Sequence, residues 1–169
     1  FVVNMSVIVF TEEYTKSTKG TFNVIVNYVE EASKNKKIIV LTNSHHWGIE
    51  ELKSIFLMNE NVKIAYLPVI LPSKCFLSYF KIKINYFQKI SYLFGSLVDI
   101  FFMPIILTWL FIFLKLRSVE AIYSHNGGWP GGRLCVWIII ASYFAKIKNR
   151  ILIIHSHPVL KTNNFYTII

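Results

Sequence analysis

A parallel α/β sheet covered by helices on both faces is the fold class this chain predicts, on three observations. Short runs rich in β-branched residues alternate with stretches of helical periodicity along most of the 169 residues. The runs are apolar almost throughout, as in strands buried on both faces. Polar loops bearing glycine or histidine follow several strand ends, where open parallel sheets bind their ligands. This length supports one domain with a substantial core, and no repeat, low-complexity tract or linker divides residues 1–169.

The elements follow in order. Residues 5–10 read as a buried strand and residues 11–20 as a polar loop. Residues 21–33 place Phe22, Ile25, Val26 and Val29 three and four apart with Glu30 and Glu31 outside, an amphipathic helix. Thr21 is its expected N-cap, without the acid or amide three residues on that completes a capping box. A strand at 37–42, a loop at 43–48, a short helix at 49–57 and a strand at 62–67 come next, closed by Pro68 and Pro72. Residues 76–94 interleave aromatic side chains with Lys81, Lys83 and Lys89, and residues 96–114 are apolar but for Asp99 and Pro104. A strand at 121–124, a glycine-rich loop, a helix at 134–147 and a strand at 150–154 follow, ending in His155-Ser156-His157-Pro158.

Hydrophobic residues make up 54% of the chain and charged residues 16%, which excludes a disordered polypeptide and admits membrane contact. The net charge of +9 favours anionic partners. Nucleic acid is set aside: the lysines are dispersed, the aromatics lie among apolar residues, and no RNA-binding or helix-turn-helix pattern is present. Cys75 and Cys135 lack metal-ligand spacing, so a reduced, cytoplasmic chain with no metal or cofactor is expected. Residues 1–10 carry no basic region or cleavage site of a secretory signal. Position 1 is not Met and residues 165–169 end inside an apolar run, so both ends read as cut.

Residues 96–114 are long enough to span a bilayer, which takes about 20 apolar residues. Asp99, Pro104 and a place between units of one sheet favour a buried or interfacial helix. The lysine–aromatic stretch before it fits a surface resting on anionic lipid, with a helix pair carrying a solvated basic face as the alternative.

Four of the seven glycines, Gly127, Gly128, Gly131 and Gly132, fall within six positions of the run 124–133. Such clustering after a strand suggests a built surface. Free backbone N–H groups at the following helix start, with Arg133 beside them, would bind an anion or a hydroxyl-rich ligand. The alternative is a plain turn. The loop ending in Lys19, Gly20 and Thr21 has the placement of a phosphate-binding turn, without a dinucleotide or P-loop motif. A solvated loop is its alternative. His155 and His157, sharing an edge with His125, suit proton transfer or hydrogen bonding to phosphate or sugar, against a purely structural pair. His45 and His46 read as loop surface. No Ser-His-Asp or Cys-His arrangement can be assembled.

The strand at 5–10, Lys19-Gly20-Thr21 opening a helix, Ile122-Tyr123-Ser124-His125-Asn126-Gly127-Gly128, Pro130-Gly131-Gly132-Arg133 and the run from Arg150 to His157 together resemble the N-terminal half of GT-B glycosyltransferases of family 4. The resemblance implies a Rossmann-like acceptor domain, with a nucleotide-sugar donor held mainly by a C-terminal domain that this sequence does not include. It implies transfer to a lipid-linked or polysaccharide acceptor, peripheral at the inner membrane face, with His155 near the reacting sugar and the first loop near donor phosphate or acceptor. Transfer would be metal-independent, with anomeric retention, and the 169 residues alone would be inactive. Lys19 stands where the family usually has a second glycine. The reading from another class is a non-catalytic module holding an anionic lipid or sugar.

Overall fold

The computed structural model describes residues 6–12, 19–43, 46–67, 85–126 and 132–155, with side chains described for all but Lys19 and residues 85–93. The order is β1 (Ser6–Thr11), α1 (Lys19–Ser33), β2 (Lys37–Asn43), α2 (Ile49–Phe56), β3 (Val62–Leu67), α3 (Asn85–Lys115), β4 (Val119–Asn126), α4 (Arg133–Phe144) and β5 (Asn149–Ile154). The strands form one all-parallel sheet in the order β3-β2-β1-β4-β5. This is the α/β, Rossmann-like class the sequence predicts.

Successive strand residues point to opposite faces, and the core divides accordingly. Val7 and Val9 of β1 pack with Val40 against Phe22, Ile25 and Val29 of α1 and Leu52 and Phe56 of α2. Ile8 and Phe10 point the other way, onto Ile106, Leu110 and Leu114 of α3 and Leu134 and Ile138 of α4. The sheet therefore lies between an α1–α2 layer and an α3–α4 layer. Because β1 carries apolar residues toward both, it reads as an unbroken hydrophobic run.

Among the boundaries that differ from expectation, three have plain physical reasons. Strand β4 continues through His125 and Asn126, because its ladder with β1 reaches Thr11↔His125 and that with β5 reaches Asn126↔Ile154. Polar residues thus lie in the strand and not in a loop. Helix α1 starts at Lys19, so Thr21 is a buried first-turn residue and not the N-cap. Helix α4 stops at Phe144 because Lys146 takes φ 62°. Its N–H donates to Tyr143 O at 3.0 Å and that of Ile147 to Ser142 O at 3.1 Å, a Schellman closure usually made by glycine. A lysine there costs about 1 kcal/mol.

Helix α3, 31 residues long, joins the end of the lysine–aromatic stretch to the apolar segment and carries Pro104 inside it. Its Asp99 is buried and receives Arg133 Nη1 of α4 at 2.6 Å, while Arg133 Nη2 donates to Ser96 Oγ at 2.7 Å. The acid that interrupts the apolar stretch locks two helices together. Cys135 is buried in α4, where its Sγ donates to His125 O at 3.3 Å. The expectations for Met5, the loop at 13–18, His45, Pro68, Pro72, Cys75, Lys81, Lys83, residues 127–131 and His157 fall outside the described residues, as does the side chain of Lys89.

Candidate functional site at the carboxyl edge of the sheet

The chain moves outward from β1 to β2 and β3, then returns to place β4 on the other side of β1. A crevice opens at such a reversal, beyond the carboxyl ends of the two central strands. Here those ends carry Thr11 and Glu12 from β1 and His125 and Asn126 from β4.

Thr42, Thr11 and His125 are direct neighbours across three strands, about 5 Å apart. They share the α1–α2 side of the sheet, because each stands two residues beyond one that packs there: Val40, Val9 and Tyr123. All three are essentially inaccessible. Among the described residues, Thr42 Oγ1, Thr11 Oγ1 and His125 Nε2 have no hydrogen-bond partner. A buried polar atom without a partner costs about 1–3 kcal/mol, so three in a row mark a place built for polar company. Helix α1 begins on the same side, and Tyr28 from it lies 6.0 Å from the His125 ring.

His155 follows β5, held by its N–H donating to Asn126 O at 3.0 Å. Its Nε2 lies 2.9 Å from His125 Nδ1, with the rings 15° from parallel. Burial pushes the His125 imidazole down to about 4, and nearby His155 adds to the shift. Burial lowers His155 as well. Both rings are therefore neutral near pH 7, and one proton lies between the facing nitrogens. If His125 Nδ1 carries it, His125 Nε2 is an acceptor and His155 Nδ1 a donor. If His155 Nε2 carries it, those roles reverse. A half-buried imidazole and a fully buried one thus form a relay across two strand ends.

The start of α4 is not the open anion site that the sequence suggests. Leu134 N–H donates to Glu12 Oε2 at 2.9 Å and Gly132 N–H to Asn126 Oδ1 at 2.9 Å. A carboxylate of the chain itself already sits at the positive helix end. Arg133 is likewise corrected, since its charge is neutralised by Asp99. Gly132 has an ordinary φ of −68°, and its need for glycine is steric. A Cβ there would lie 2.7 Å from Glu12 Oε2 and 3.1 Å from Cys135 Sγ.

His46 is also corrected: it is buried, not surface. Its ring stacks near Trp47, and Gly48 N–H donates to its Nδ1 at 3.1 Å. A side chain on Gly48 would meet the Phe22 ring at 2.6 Å, so backbone and imidazole close together.

Of the sequence-predicted residues, the structure brings together His125, Asn126 and His155, while Gly20 and Thr21 lie in the first turn of α1, the helix whose Tyr28 approaches the His125 ring. Gly127, Gly128 and His157 lie outside the described residues, and Lys19 is described by backbone alone. Glu12, Thr11 and Thr42 were missed. The available signal was their position: each ends, or directly follows, an apolar strand run. Among the described residues no three His, Cys, Asp or Glu groups are arranged to hold a metal ion. Compared with known proteins, the chain matches no family model, no curated protein and no solved structure.

Proposed function

We propose that this chain is the acceptor-side domain of a glycosyltransferase. It would act on a lipid-linked or polysaccharide acceptor at the cytoplasmic face of a membrane, with a nucleotide sugar as donor. The observation that carries this reading is the neutral His125–His155 pair at the reversal point of a parallel sheet. A neutral imidazole can accept a proton from a sugar hydroxyl or donate a hydrogen bond to one, and the relay lets His155 do either without building up charge. Lys19, Gly20 and Thr21, at the positive end of α1, are the described groups suited to a donor diphosphate. Arg133 and the start of α4 take no part in it.

In the full-length protein, His155→Ala lowers kcat by about a hundredfold or more while the fold stays intact. Unchanged kcat with a lower melting temperature makes His155 structural and removes the reading. A second reading, a module that binds a sugar without transferring it, is favoured by one observation. The described groups lining the edge on the α1–α2 side, Thr42, Thr11 and His125, are all uncharged near pH 7. Saturable sugar binding by full-length protein that turns over no nucleotide sugar decides for the module.

A further inference from the structure

We propose that the outward surface of the α3–α4 layer docks on an anionic lipid bilayer, with both helices lying along the membrane and the cations at their carboxyl ends on lipid phosphates. The proposal rests on the reading above only for its membrane setting; this surface faces away from the sheet and its cations gather at the edge opposite His125 and His155, so loss of docking and loss of transfer are read separately.

Helix α3 buries Ile106, Leu110 and Leu114 against the sheet. Its other side is just as apolar: Phe94, Leu97, Phe101, Ile105 and Ile112 are all exposed, Phe101 to 76%. They recur three, four or seven residues apart, a stripe about 27 Å long at 1.5 Å per residue. Ordinary surface helices put charge on that side. Beside it, α4 exposes Ile140, Tyr143 and Phe144.

Charge complementarity names the occupant. Lys115 and Arg117 stand at the end of α3, and Lys146, Lys148 and Arg150 follow the end of α4. Among the described residues of 94–117 and 132–150 the single acid is Asp99, buried beneath Arg133. The last three cations, with Tyr143 and Phe144, line an open cleft of about 580 Å³. Arg150 holds its place by donating to Ile147 O, with its guanidinium 5.2 Å from the Tyr143 ring centroid. An apolar face bordered by aromatic rings and uncompensated cations is the pattern of an interfacial helix on anionic lipid. Lys146 supplies a second observation: it occupies a left-handed position at φ 62° that glycine would fill without strain. A side chain at this strained position places a cation beside Lys148 and Arg150 on the same border.

The test is flotation of the full-length protein with phosphatidylcholine vesicles and with vesicles containing phosphatidylglycerol. Binding is expected only to the anionic set, and inorganic phosphate at the same charge concentration should not displace it. Each cation removed should weaken binding about fivefold, so Lys148→Gln with Arg150→Gln weakens it more than tenfold. Phe101→Ser with Ile105→Ser removes the part that resists salt. Lys146→Gly keeps or raises the melting temperature yet weakens flotation, which no purely structural role of Lys146 predicts. Equal binding to neutral and anionic vesicles overturns the proposal. So does displacement by free phosphate. Concentration-dependent self-association lost in Phe101→Ser/Ile105→Ser, without vesicle binding, overturns it in favour of a second copy of the chain.

Discussion

His46 shows what a single residue conceals in a sequence. It stands among polar residues between a strand and a glycine, and every local signal reads it as surface. What buries it is long-range: Phe22 from α1 approaches its ring at 6.3 Å and Trp47 stacks beside it. Burial pushes its pKa from 6.5 down to about 4. Between those values the unfolded chain binds a proton that the folded chain refuses, so stability is complete above about pH 6.5 and falls as pH drops toward 4. Protonation would also set an N–H on Nδ1 against the Gly48 N–H that now donates to it. The loss is on the order of 3 kcal/mol across the window. His125, lowered over the same range, adds to it. Urea unfolding midpoints between pH 7 and pH 4 measure the slope. His46→Asn, whose Oδ1 can replace Nδ1 as acceptor, should flatten it, and an unchanged slope in that variant refutes the assignment.

At the scale of elements, the alternation of strands and helices was legible because period two and period three-to-four patterns differ within a few residues. Element ends were less so. The sequence pattern of β4 ends at Ser124 because His and Asn look like loop residues, and only its ladders with β1 and β5 carry it to Asn126. The start of α4 differs from its pattern for a related reason: its glycines suggest an opening for a ligand, while Glu12, 122 positions away from Leu134, fills it. No periodicity links residues so distant. That contact makes a prediction for Gly132. Alanine suits its backbone angles, but its Cβ would force Glu12 off the Leu134 N–H. Gly132→Ala should cost about 1–3 kcal/mol, the scale of one buried hydrogen bond left unmade. Glu12→Ala should cost a similar amount, because it breaks the same bond. The double variant should then be clearly less destabilised than the sum of the two, measured by a denaturation cycle. Additive losses would mean that Gly132 and Glu12 act separately.

Across the whole molecule, the sequence carried the layer architecture, since strands apolar on both faces require helices on both. Strand order was not legible, because periodicity says which residues are buried and not which strands are neighbours. The order matters most for α3. Its stretch Phe94–Lys115 has the length and composition to cross a membrane, as the sequence also suggested. Yet β1, before it in the chain, pairs with β4, after it, from Ser6↔Val119 to Thr11↔His125. Strands bonded along that length lie on one side of any bilayer, so a single crossing by α3 would have to tear β4 and β5 from the sheet. It would also strip Ile106, Leu110 and Leu114 from the core they share with Ile8 and Phe10. Those side chains would gain no transfer energy by the exchange, because lipid hydrocarbon is no more apolar than the core, and the sheet would lose their packing. Membranes carrying the full-length protein should therefore expose sites engineered at Asn35 and Lys148 to protease from the same side only, the Lys148 site being cut more slowly where lipid covers it. Cleavage at these two sites from opposite faces of sealed vesicles would show that α3 crosses and that the sheet as described does not form there.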